Sequence, residues 1–165
     1  MAYSINRAVP GDEAVLAHIQ TESWKSAFRH ILQPEELARC TDLERVTTMY
    51  RRLLEQNYGH GYLMRVEGEP HCIAWWSDAR EPQLEGLAEL ICIHSLPGKW
   101  RSGYGTQMMN AVLADIAAAG YPKVMLWVFE ENARARSFYE KLGFVCTGRV
   151  KPGEGPKEIC YEKTL

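Results

Sequence analysis

Long hydrophobic runs are missing from this chain of 165 residues: nothing approaches the ~18 consecutive apolar residues that a membrane-crossing helix needs. The opening Met1-Ala2-Tyr3-Ser4-Ile5-Asn6-Arg7 has no apolar segment of the secretory kind, so the expectation is a soluble, cytoplasmic protein. A dominant charge is missing too. The 19 Lys and Arg stand against 21 Asp and Glu, interspersed, for a formal net charge of −2. That balance suggests neither a nucleic-acid surface nor a polybasic membrane anchor. The cysteines Cys40, Cys72, Cys92, Cys146 and Cys160 are odd in number and scattered, with no C-x-x-C pair. They argue against a disulfide framework and against a zinc site, and no metal is expected. Repeats, low-complexity tracts and linkers are absent as well, which leaves one domain spanning residues 1–165.

What is present is an ordinary globular mixture, 46% hydrophobic and 24% charged, long enough to bury a core unaided. Tyr3 to Val9 reads as a strand closed by Pro10-Gly11, and Asp12 as the cap of a helix with Val15, Leu16, Ile19, Trp24, Ala27 and Phe28 on one face. Pro34 starts a short helical segment. Thr41-Asp42-Leu43-Glu44 has the form of a capping box for a helix carrying Leu43, Val46, Tyr50, Leu53 and Leu54 at helical spacing. After Gly59 and Gly61 the period changes. Tyr62–Val66 and Cys72–Ser77 form a hairpin pattern around Glu67-Gly68-Glu69-Pro70, and Leu87 to about Ser95 follows as a strand. A glycine-bearing turn then opens a helix with Met108, Met109, Val112, Leu113 and Ile116 inward, and Val124–Phe129 suits a buried strand. Asn132 caps a helix whose Ala135, Phe138, Tyr139 and Leu142 share a face, Gly143 ends it, and Phe144–Val150 with Lys157–Lys163 makes a closing hairpin. The expected fold class is α/β of the α+β kind, with helices packed on a mixed, mostly antiparallel sheet of about six to seven strands.

The chemistry concentrates between Leu87 and Phe144. Pro97-Gly98-Lys99-Trp100-Arg101-Ser102-Gly103-Tyr104-Gly105 places a glycine-bearing loop between a strand and a helix N-terminus, where successive backbone N–H groups and the helix dipole favour an anion such as a pyrophosphate. A dinucleotide fingerprint would need glycine where Met108 stands, and a Walker loop would need a terminal Gly-Lys-Ser/Thr; neither is met.

Downstream the chain reads Asn132-Ala133-Arg134-Ala135-Arg136-Ser137-Phe138-Tyr139-Glu140-Lys141-Leu142-Gly143-Phe144. With the preceding loop, this resembles the GNAT N-acetyltransferases, which carry Arg/Gln-x-x-Gly-x-Gly/Ala followed by Asn-x-x-Ala-x-x-Phe-Tyr-x-Lys-x-Gly-Phe. The resemblance covers nearly the whole chain and is strongest over residues 87–148. Ala88-Glu89-Leu90 through Pro97 is similar to the family's fourth strand, Lys157 to Leu165 to its last, and Arg7-Ala8 with Glu22 to Phe28 to a bacterial branch. One departure stands out: Trp100 occupies the position where the family prefers Arg or Gln, and Arg101 or Lys99 is left to supply the polarity.

The resemblance implies transfer of an acetyl group from acetyl-CoA, as co-substrate, directly to a primary amine of a small molecule, peptide or protein. It implies a splayed fourth and fifth strand pair, with Ile93 and Ser95 on the strand meeting the pantetheine arm. Trp100, Arg101, Ser102, Gly103, Tyr104, Gly105 and Thr106 would hold the phosphates, and Asn132, Ala135 and Tyr139 the rest of the cofactor. The Tyr139 phenol would protonate the leaving thiolate. Glu89, with Glu85 nearest to replace it, is the candidate base; His94, a ring near pKa 6.5, is the other candidate or a substrate contact. Trp24, Phe28 and Trp75 would join His94 around the acceptor, by cation–π attraction if they wall the pocket, although aromatics at such spacing equally suit a core. An amine acceptor is the expected partner, without nucleic acid or membrane, and the reading leaves room for a homodimer. The alternative from another class is an acyl-CoA-binding regulatory module without catalysis.

Overall fold

A computed structural model describes residues 2–165. In chain order the elements are β1 (Tyr3–Arg7), α1 (Glu13–Ala27), α2 (Pro34–Cys40), α3 (Leu43–Glu55), β2 (His60–Val66), β3 (Glu69–Asp78), β4 (Ala88–Ser95), α4 (Tyr104–Ala118), β5 (Lys123–Phe129), α5 (Ala133–Lys141), β6 (Val145–Val150) and β7 (Glu158–Thr164). The seven strands form one sheet in the order β1-β2-β3-β4-β5-β7-β6, antiparallel except where β4 meets β5. Among the described residues, no helix is long and apolar enough to cross a membrane.

Period-two alternation assigns each strand residue to a face. Tyr62, Met64, Cys72, Ala74, Trp76, Ala88, Leu90, Val124, Leu126 and Tyr161 point to the side covered by α4, whose Met108, Met109, Val112 and Ile116 are fully buried there. Ala135, Phe138, Tyr139 and Leu142 of α5 pack against the same layer. On the opposite side Leu63, Ile73 and Trp75 meet Leu16, Ala17 and Ile19 of α1 and Val46 and Tyr50 of α3. Trp75 lies flat on the backbone of β2: a Cβ built on Gly61 would overlap its six-membered ring, so that position accepts only glycine.

Two helix starts differ from expectation. The Asp12 side chain does not cap α1, although its carbonyl accepts from Leu16 N at 3.0 Å; the carboxylate instead accepts from the Val9 N–H at 2.9 Å, closing the preceding turn. The cap of α3 is Asp42, which accepts from Arg45 N at 2.8 Å, while the Thr41 hydroxyl donates back to the Leu37 carbonyl and finishes α2. An acid directly before the helix wins the capping role over a threonine one residue earlier. Leu43, expected on the apolar face of this helix, is instead its first residue and is exposed, outside the core.

Candidate active site

The site is built where β4 and β5 part. These parallel neighbours are paired only at Ala88↔Val124 and Glu89↔Met125, so from Leu90 onward that edge of β4 has no strand partner. On its other edge β4 stays paired to β3 through Ser95, with one irregularity: Trp75 opposes Cys92 and Trp76 opposes Leu90. Ile91 is thus the extra residue of a β-bulge. Ile91 and Cys92 both face α1, and every later side chain of β4 changes sides relative to unbroken alternation. Ile93 then turns toward α4 and His94 toward α1.

Past β4 the chain makes a short 3-10 turn over Pro97–Lys99 and enters α4 through residues with positive φ, Arg101 at 63° and Gly103 at 83°. Gly103 is the N-cap, and its conformation is one that glycine adopts without strain. The first-turn N–H groups of Tyr104, Gly105 and Thr106 have no intrahelical acceptor, and Gln107 N is the first to bond back, to Gly103 O at 3.3 Å. Together with the helix dipole they form the anion cradle.

Opposite, α5 is fixed by its cap and its charges. Asn132 Oδ1 accepts from Ala135 N at 3.2 Å, as anticipated. Arg136 donates to the Tyr161 hydroxyl at 2.9 Å and to the Glu130 carbonyl at 3.0 Å, and Tyr161 donates to Glu140 at 2.8 Å. That network locks α5 onto β7 and leaves Tyr139 held by the rings of Phe138, Phe144 and Tyr161.

A cavity of about 930 Å³ runs from this loop past the open edge of β4 to α1. Its walls bring together Ile93, Ser95, Trp100, Arg101, Ser102, Gly103, Gly105, Thr106, Asn132, Ala135 and Tyr139 with Trp24, Phe28, Trp75 and His94. Two expected residues do not line it. The Tyr104 ring turns away to pack edge-on against His71 and Tyr3, leaving only its backbone N–H to the cradle. Glu89 lies on the α1 side of β4 at 1% exposure, its carboxylate occupied by Arg80: Nη2 donates to Oε2 at 2.6 Å, Nε to Oε1 at 3.2 Å, and the Arg80 N–H to Oε1 at 3.1 Å. The cavity wall is Arg80 itself, which a sequence reading missed because it sits in the irregular link between β3 and β4.

Electrostatics sort the remaining candidates. The His94 Nε2 accepts the Trp24 indole N–H at 3.1 Å, which assigns the ring proton to Nδ1. Burial, with the nearby Arg134 charge, lowers its pKa from 6.5 to about 4, so the ring is neutral at pH 7 and its lone pair is engaged. Burial raises the Tyr139 phenol well above its ordinary value, so it holds a proton to give. Burial likewise pushes the Cys92 thiol up to about 12, leaving it protonated. Tyr50 donates to Gln20 on the acceptor side of the same cavity, where Trp24, Phe28 and Phe129 stack edge to face with centroids 4.9 and 5.0 Å apart.

A guest lying along the open edge of β4 would set an anionic tail on the α4 amides and a reactive head beside Tyr139, facing the aromatic end. No side chain fills the approach to the loop: a Cβ added at Gly103 would meet nothing within 4 Å, and one at Gly105 would make ordinary contact with Phe138 at 3.5 Å. These residues fit an acyl thioester of coenzyme A, and the layout defines a transferase fed by that donor.

The chain belongs to the acetyltransferase (GNAT) family, whose model matches residues 21–144. An uncharacterized N-acetyltransferase of Mycobacterium tuberculosis (strain ATCC 25618 / H37Rv) is 27% identical over 148 residues, covering 83% of this chain and 85% of that protein. A mycothiol acetyltransferase of Streptomyces scabiei (strain 87.22) is 33% identical over 85 residues, or 52% of this chain; the match spans only 27% of that longer protein. In fold, the chain is similar to the PaiA N-acetyltransferase of Thermoplasma acidophilum, solved in complex with coenzyme A, with a TM-score of 0.77, 19% identity and full coverage of both chains. It is also similar to yncA of Salmonella typhimurium, solved with its cofactor acetyl-CoA, with a TM-score of 0.75, 16% identity and coverage of 100% and 95%. As a member of that family the protein is an acetyltransferase.

Proposed function

We propose that the protein transfers the acetyl group directly to a primary amine carried by a small molecule or peptide with an aromatic or apolar body. The observation that carries this reading is the continuity of the cavity from the α4 amides to the aromatic end under α1. Trp24, Phe28, Tyr50, Trp75 and Phe129 shape that end; Arg80 is the cation on its wall, and the Glu158 carboxylate beside Phe129 faces Lys151 at 4.0 Å. Such walls favour an amine with an apolar body over a polycation, which would need several acidic partners.

Acetyl-CoA supplies the activated acyl carbon, and the chain's own residues supply placement and protons. Backbone groups on the unpaired edge of β4 align the thioester and polarise its carbonyl. An alkyl ammonium has a pKa of about 10.4, so the acceptor must lose a proton before it attacks. The buried aromatic end favours the neutral amine, because desolvation penalises the charged form. Two routes are open to that proton: Glu89, once Arg80 turns aside, or water at the cavity mouth, which the Arg80–Glu89 pairing favours. His94 is the poorer base, since its accepting nitrogen is engaged. As the carbon–sulfur bond breaks, Tyr139 gives its proton to a thiolate whose conjugate acid has a pKa of about 8.5.

The test is thiol release from acetyl-CoA across aromatic monoamines, aliphatic amines, polyamines, aminoglycosides and short peptides. Fastest turnover with aromatic or apolar monoamines or peptides is expected. Turnover confined to polyamines would refute the acceptor class, and binding of acetyl-CoA without thiol release from any amine would favour a binding module instead.

A further inference from the structure

Trp100 stands where a polar side chain was expected, and its surroundings show what it does. The indole is pinned, its Nε1–H donating to the Ser95 carbonyl at 3.0 Å. On the face of that ring rests the guanidinium of Arg134, with Cζ 3.6 Å from the centroid. Arg134 belongs to the first turn of α5, two residues past the cap, so its side chain spans from α5 to the loop that opens α4 and lines the cavity between them.

Among the described residues Arg134 forms no ion pair, although six such pairs occur elsewhere in the chain. Burial disfavours its charge, and Arg101 is close enough to repel it as well. An indole face offsets part of the cost of a desolvated cation but does not neutralise it. Stacking one face of a guanidinium leaves its edge N–H groups free in the plane, which is the geometry that binds phosphate oxygens bidentately. Lys99 and Arg101 line the same stretch, and the α4 amides converge on it.

We propose that Trp100 and Arg134 work as one unit that binds the phosphates of the acetyl donor: Trp100 is the platform, and Arg134 pairs with the phosphate oxygens. The pair takes over from α5 the polar contact that position 100 does not provide. Arg134 is a donor-binding residue and Trp100 a positioning residue.

The test uses equilibrium binding and needs no knowledge of the acceptor. Dissociation constants are measured for acetyl-CoA directly and for S-acetylpantetheine, which carries no phosphate, by competition, with the wild-type protein, Arg134→Gln, Arg134→Lys, Trp100→Phe and Trp100→Ala. Arg134→Gln is expected to weaken acetyl-CoA binding by about 10- to 100-fold, the range of a lost charge-assisted contact. S-acetylpantetheine should bind equally to wild type and Arg134→Gln. Trp100→Ala should approach the Arg134→Gln loss and add little to it in the double variant, whereas Trp100→Phe, which keeps a ring face, should lose less. Arg134→Lys, which keeps the charge without the planar fork, should fall between. Equal weakening with both donors would overturn the proposal by placing Arg134 at the thioester or in the scaffold, and so would unchanged acetyl-CoA affinity in Arg134→Gln. A thermal melt of each variant separates lost binding from lost folding, and the conservative Trp100→Phe and Arg134→Lys pair still decides the matter if an alanine or glutamine variant unfolds.

Discussion

Replacing His94 by Gln should remove a specific part of the protein's acid sensitivity. The native ring titrates at about 4 because burial and the neighbouring Arg134 charge disfavour its protonated form. In the unfolded chain the same ring titrates near its ordinary 6.5. Between those values the unfolded state binds a proton that the native state does not, so stability is full above pH 6.5 and declines as pH falls toward 4. At roughly 1.4 kcal/mol per pKa unit, lowering the pH from 7 to 5 costs about 1–2 kcal/mol from this group, after allowing for partial solvent access through the cavity. For a chain of this size that corresponds to a melting shift of about 2–8 °C. Gln presents an acceptor to the Trp24 indole without a titrating ring, so His94→Gln keeps that bond while removing the proton uptake. Urea unfolding of both proteins at pH 7 and pH 5, without donor, reads the difference directly. Carboxylates contribute equally to both curves and cancel. Identical losses in wild type and His94→Gln would refute the buried neutral histidine and the hydrogen bond that assigns its tautomer.

Tyr139→Phe should lower turnover by about 100-fold or more, the contribution of a positioned acid, with acetyl-CoA affinity nearly unchanged; full turnover where chemistry limits the rate would remove the tyrosine from this role. Glu89→Gln should shift the acid limb of the pH–rate profile if Glu89 takes the proton, and should leave the profile in place at reduced stability if water takes it and the carboxylate only holds Arg80. Loss of that pairing should cost about 1–3 kcal/mol in denaturant unfolding, less than a fully buried pair because Arg80 is 48% exposed. Gly61→Ala should destabilise by about 2 kcal/mol or more, since the new methyl group collides with the Trp75 ring; a neutral result in a chemical melt would mean that Trp75 moves freely.

The fold was legible where periodicity and punctuation agreed. Met108, Met109, Val112 and Ile116 at helical spacing mark the buried face of α4, and Asn132 caps α5 as its residue type suggests. The positive φ of Gly143 closes that helix as expected. The start of α3 was misread because threonine and aspartate are both good caps, and only the three-dimensional course of α2 decides between them. That Gly103, Asn132 and Tyr139 would share one cavity was legible because each is tied to a local motif. The acceptor half was harder to read. Arg80 lies in an irregular link with no pattern of its own, and the occupied state of Glu89 depends on a partner nine residues away in sequence across a turn. Arg134 was in plain view inside the motif, yet only its spatial contact with Trp100 singles it out.

The single surplus residue in β4 has an evolutionary consequence. Because Ile91 adds one step against β3, His94 reaches Trp24 and Ile93 joins the layer under α4. Deleting Ile91 or Cys92 would close the ladder into regular alternation with Ile93 still opposite Ala74 and His94 opposite Ile73, whereas deleting Ile93 would bring His94 opposite Ala74 and send an imidazole into the hydrocarbon beneath α4. Substitutions along this strand change the chemistry of one wall at a time, whereas a one-codon deletion past the bulge moves side chains between both. The bulge is thus the one place where β4 can lose a residue without turning its later side chains over, while beyond Cys92 the strand's length is held by its register against β3.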